Sequence, residues 1–99
     1  MRLSPQQIDT LKRLTAETFG GDARLSLFGS RLDDTARGGD VDLLVELDAP
    51  IEHPAMQAAR FAARASRALH GRKVDVLLAA PNLRELPIHQ IARQQGRVL

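Results

Sequence analysis

Apolar residues change their spacing several times along this chain, and each change marks an element. Between Ser4 and Phe19 they recur at helical intervals, with Ile8, Leu11, Thr15 and Thr18 on one face. Ser4-Pro5-Gln6-Gln7 supplies an N-cap, a proline at the first helical position and a glutamine placed to close a capping box, and Gly20-Gly21 offers the stop. The stretch RLSLFGS then alternates Leu25 and Leu27 with polar neighbours before Gly29, the pattern of a short strand entering a tight turn. From Asp40 to Asp48 the alternation is cleaner. Val41, Leu43, Val45 and Leu47 share one face, and Asp40, Asp42, Leu44, Glu46 and Asp48 the other, which predicts a strand with one well-buried face. Helical spacing returns over Pro54 to Leu69, where Ala58, Phe61, Ala62, Ala65 and Leu69 form a core stripe before the cap residue Gly71. RKVDVLLA reads as a third strand, with Val74, Val76 and Leu78 on one face and Asp75 on the other. Pro81 breaks it, and Pro87 starts a last helix carrying Ile88, Ile91 and Ala92 before Gly96 and a short tail. The order α-β-β-α-β-α predicts an α/β or α+β fold: a small mixed sheet with helices packed on one face.

Composition narrows this further. A chain of 99 residues with 43% hydrophobic content can build one core, so a single domain spanning 1–99 is expected. Aromatic residues make up only 3%, so the core must come from Leu, Val, Ile and Ala with Phe19, Phe28 and Phe61. The net charge is +2, from 14 Lys and Arg against 12 Asp and Glu, so the pI of 9.9 reflects a small arginine surplus and gives nucleic-acid binding little support. With no cysteine, disulfides and thiolate metal sites are excluded. No apolar run approaches the roughly 20 residues of a membrane span, and Met1 to Pro5 lacks a signal-peptide core, so a cytoplasmic location is expected.

The chemistry concentrates in FGSRLDDTARGGDVDLLVEL, Phe28 to Leu47. Residues two apart on a strand project from the same face with Cα atoms about 6 to 7 Å apart, so Asp40 and Asp42 converge on one volume. Their repulsion is relieved by protonation of one group or by a bound cation, and oxygen ligands suit a hard ion such as Mg²⁺. Asp75 sits within an otherwise apolar strand; if that strand neighbours the first aspartate strand, three carboxylates meet. Such a site can hold two divalent ions about 3.5 to 4 Å apart, an arrangement suited to in-line displacement at phosphorus. The Gly29-Ser30 turn adds phosphate donors, since glycine admits close backbone approach and exposed N–H groups with the Ser30 hydroxyl can hold phosphate oxygens. Either piece alone would more often be a solvated turn or a charged loop with a glycine hinge. The two occur together, in order, and an acid follows on a later apolar strand.

At these residues the chain resembles the nucleotidyltransferases of the DNA polymerase β superfamily, whose signature is an apolar strand, Gly-Ser, about ten variable residues, Asp-x-Asp and a third acid on a following strand. Here it reads Gly29-Ser30, nine intervening residues, Asp40-Val41-Asp42, and Asp75 within KVDVLLA. The short length and wording are most similar to the minimal nucleotidyltransferases, commonly paired with a helical HEPN partner as antitoxin and toxin. The resemblance covers the chain from the first helix to near the end. It implies a polymerase β-like fold and transfer of AMP from ATP to an acceptor hydroxyl. Asp40 and Asp42 would bind both of two Mg²⁺ ions, with Asp75 as third ligand. In the antitoxin pairs the acceptor is a tyrosine of the HEPN protein. Many relatives carry Ser or Thr where this chain has Gly39. With no C-terminal substrate-binding domain, the acceptor is expected to be presented largely by another molecule.

Around this core, Arg31 and Arg37 flank the loop and could meet triphosphate oxygens, with Asp33 and Asp34 offering local ion pairs instead. Arg31 joins Gly29 and Ser30 as a nucleotide-binding candidate, while the structural role leads for Arg37. The Arg60, Arg64 and Arg67 stripe reads as a solvated helix face. His53, His70 and His89 lack metal-ligand spacing and read as surface or helix-end residues, and Glu46 lies too far along its strand to join the site. The leading expectation is a Mg²⁺-dependent protein adenylyltransferase acting as an antitoxin. A non-catalytic module that blocks its partner sterically, and a transferase acting on a small molecule, remain open. So do the acceptor, the preferred base and a homo-oligomeric state.

Overall fold

A computed structural model of the chain describes residues 3–29 and 41–99. Helix α1 (Pro5–Phe19) leads into strand β1 (Arg24–Phe28); β2 (Val41–Glu46), α2 (Pro54–Ala68), β3 (Val74–Ala79), α3 (Pro87–Gln95) and a two-residue β4 (Arg97–Val98) follow. The start of α1 is as its sequence dictates: the Gln7 N–H donates to Ser4 Oγ at 3.1 Å, and the Ser4 N–H donates to Gln7 Oε1 at 2.8 Å. Gly20 closes the helix at φ +104°, its N–H donating to the Ala16 carbonyl.

The strands form one mixed sheet in the order β3-β2-β1-β4. β1 runs antiparallel to β2 and to β4, whereas β2 and β3 are parallel, joined across α2. The short tail after Gly96 thus adds an edge strand through Arg97 and Val98.

Among the described residues, two cores lie on opposite faces of this sheet. The larger unites Leu11 and Leu14 of α1, Leu25 and Leu27 of β1, Val41, Leu43 and Val45 of β2, Val74 of β3, and Phe61, Ala65 and Leu69 from α2 and its cap. Phe19 and Phe61 meet edge to face, centroids 5.5 Å apart, joining α1 to α2. Helices over one face are therefore present as the pattern predicts. The smaller core gathers Phe28, Leu44, Ala79 and Ala92, which places α3 on the other face. There Ile88 and Ile91 are 41% and 44% exposed, and it is Ala92 and His89 that are buried. At the far end of the sheet, Asn82 grips Ile51 in both directions, accepting from its N–H at 3.0 Å and donating to its carbonyl at 2.8 Å. The loops after β2 and β3 are tied together there.

Candidate active site

Parallel pairing of β2 with β3 sets Asp42 directly beside Asp75, on strands about 4.8 Å apart. On the other side of Asp42 lies Phe28, the last residue of β1. All three belong to the face that carries Leu44, away from the larger core. Asp42 is half-buried and Asp75 exposed.

Gly29 follows directly, with φ at +81°, and a Cβ built there would stand 2.6 Å from Asp42 Oδ2. Glycine is needed twice over: for a backbone conformation that L side chains avoid, and because the Asp42 carboxylate occupies the space a side chain would take. The turn after β1 therefore presses bare backbone against the acid. Lys73 enters from the other direction, its Nζ 4.0 Å from Asp75 Oδ1, while its carbonyl accepts the Val41 N–H at 2.8 Å.

Of the residues expected in the site, Gly29, Asp42 and Asp75 are thus brought together. Ser30, Arg31 and Asp40 lie outside the described residues, as do Asp33, Asp34, Arg37 and Gly39. Among the described residues no three His, Cys, Asp or Glu side chains gather closely enough to hold a metal ion. Asp42 and Asp75 nonetheless offer hard carboxylate oxygens of the kind Mg²⁺ prefers.

Helix α3 closes the other end of this face. Arg93 donates from Nε to Glu46 Oε2 at 3.0 Å and from a terminal nitrogen to Glu85. Hydrogen bonding to Arg93 holds the Glu85 carboxyl below its ordinary range, and the two acids, Glu85 first, push the Arg93 guanidinium above its own. Glu46, kept out of the site by its place along the strand, is thereby accounted for. His89 is a helix-end residue but a buried one: Nδ1 accepts the Leu86 N–H at 3.0 Å and Nε2 lies 2.8 Å from the Leu78 carbonyl. With Nδ1 accepting, Nε2 carries the proton and donates, so both ring nitrogens serve the fold. The available signal was its position three residues after Leu86, where a capping side chain sits.

A hollow of about 750 Å³ opens at the opposite end of the sheet, lined by Thr18, Gly21, Asp48, Ile51, Met56 and Arg64 among others. It is remote from the paired aspartates, and its lining carries charged groups of both signs. The paired aspartates lie at the other end of the sheet, on the face against which α3 packs.

The family model described as a nucleotidyltransferase domain matches residues 8–97. The chain belongs to this family. Among its described residues this nucleotidyltransferase domain has three helices and a four-stranded mixed sheet, a small α/β fold. Its fold is similar to a chain in a crystal structure of a mutant of the toxin–antitoxin pair MntA–HpeT, with a TM-score of 0.64 and 22% identity over 98% of this chain and 71% of that one. No curated relative matches the nucleotidyltransferase domain in sequence. Among its described residues no helix is long and apolar enough to cross a membrane.

Proposed function

We propose that this nucleotidyltransferase transfers AMP from ATP to a hydroxyl of a partner protein, a tyrosine of a helical HEPN-type toxin, and so serves as the antitoxin of the pair. The observation that carries the reading is the register of Asp42 against Asp75 with Gly29 packed on the Asp42 carboxylate. The fold's likeness to a chain of a toxin–antitoxin pair supports the biological setting.

Asp42, half-buried against the glycine turn, faces the nucleotide, and the bare backbone of Gly29 leaves room for phosphate oxygens. Asp75, exposed on the edge strand β3, faces the acceptor hydroxyl and takes its proton. The acceptor oxygen bonds to the α-phosphorus as the bond to the β-phosphate oxygen breaks, and pyrophosphate leaves. Mg²⁺ held by Asp42, Asp75 and, by its place in the motif, Asp40 would offset the phosphate charge and ease ionisation of the acceptor. The exposure of Asp75, 49% at its side chain, supports access for a protein acceptor.

The test is incubation with labelled ATP, Mg²⁺ and the product of the neighbouring gene, followed by mass spectrometry of both proteins. AMP on a partner tyrosine, absent with the Asp42→Asn variant, is the expected result. A partner neutralised by tight binding without any label would replace this reading with steric blockade.

A further inference from the structure

We infer that Lys73 is a built-in counter-ion of the aspartate pair, which holds the place of the metal's charge beside Asp75 and turns to the phosphates once the metal-bound nucleotide arrives. The inference rests on the proposed metal and nucleotide site and adds a residue that the motif does not contain.

Three observations carry it. Lys73 and Asp75 are two apart at the start of β3, so their side chains leave the same strand face, and Nζ stands 4.0 Å from Asp75 Oδ1. The Lys73 main chain is pinned, because its carbonyl accepts the Val41 N–H at 2.8 Å, which fixes the foot of the side chain at the mouth of the β2–β3 pair. Its side chain is 70% exposed and that of Asp75 49%, so neither is locked by packing. An ammonium on a four-carbon stem can move several ångströms between partners at little cost, which a packed guanidinium could not.

Electrostatics supplies the reason for such a residue. Asp42 and Asp75 lie side by side, and two carboxylates placed together repel each other. A neighbouring cation offsets that repulsion in the absence of metal. A divalent ion brings more charge and takes over that role, and the displaced ammonium then lies next to the polyphosphate the ion carries, where it is attracted again. As an ornamental surface pair, a contact of this length between exposed groups would do almost nothing.

The experiment uses Mn²⁺ alone as the first probe, titrated into the full chain by calorimetry, and a non-hydrolysable ATP analogue with Mg²⁺ as the second. Lys73→Met keeps the stem and removes the charge. It is expected to tighten Mn²⁺ binding roughly threefold to tenfold and to weaken binding of the Mg²⁺-loaded analogue by a similar factor. Lys73→Arg should return both values towards those of the parent. Arg24→Met, an equal change in net charge at the far end of the same sheet face, should alter neither, since the intervening distance exceeds the screening length. Thermal melts of all variants establish that they are folded. If Lys73→Met matches the parent in both titrations, Lys73 is only a surface pair and the inference is wrong. If the parent binds no Mn²⁺ at all, the metal reading itself falls, and the inference with it.

Discussion

At the scale of single residues, Gly29 and Asp42 form one device. Gly29→Ala must adopt φ near +81° and place a methyl group 2.6 Å from a carboxylate oxygen, so both backbone and acid have to move. It should cost about 1–2 kcal/mol in chemical denaturation and reduce AMP transfer far more than that loss of stability explains. Asp42→Asn probes the other half. It keeps the shape, removes a charge next to Asp75, and should abolish transfer while the melting temperature holds or rises. A large drop in melting temperature would mean that the Asp42 carboxylate is needed chiefly as a structural acceptor.

At the scale of elements, α3 is where the sequence misled and where it can best be checked. Ile88 and Ile91 are apolar at helical spacing, the usual mark of a core face, yet the helix turns Ala92 and His89 inward and leaves both isoleucines exposed. Ile88→Ser should therefore change stability by no more than about 0.5 kcal/mol, whereas Leu44→Ala, in the core beneath this helix, should cost about 2–5 kcal/mol. Short-range chemistry was legible: the capping box at Ser4, the strand alternation from Val41, and Asp75 opposed to Val74 and Val76. What could not be read were contacts made by the crossing of elements distant in sequence. Arg93 reaching Glu46 depends on how α3 lies across the sheet, and the exact neighbour of Asp75 depends on the parallel register that the α2 crossover sets. The Arg93 clasp has its own signature. A Glu85 carboxyl held low by Arg93 stays ionised to more acidic pH than an unpaired one, so the clasp is whole at neutral pH and is lost as pH falls through that lowered value. NMR titration should show this midpoint return to the ordinary range in Arg93→Met.

For the whole molecule, the two faces of the sheet carry different groups. One face holds the larger core; Asp42 and Asp75 stand on the other, which also carries the smaller core under α3. Nucleotide binding should accordingly need a divalent ion, since triphosphate and aspartates otherwise repel, and equal ATP affinity in Mg²⁺ and in excess chelator would count against the site. The parallel pairing of β2 with β3 also bears on how the chain folds. These strands are separated by all of α2, so their union is a long-range closure, slower to form than the β1–β2 antiparallel pair or any single helix. Asp42 and Asp75 become neighbours only at that step. A chain that has collapsed but not yet docked β3 carries both acids and no site, so ion affinity arises with the docking of β3 and reports on that step. By mass action the ion should in turn hold β3 in place, by about 2.7 kcal/mol at a hundredfold excess over its dissociation constant, which makes the strand bearing Asp75 the one whose amide exchange slows most when the ion is added.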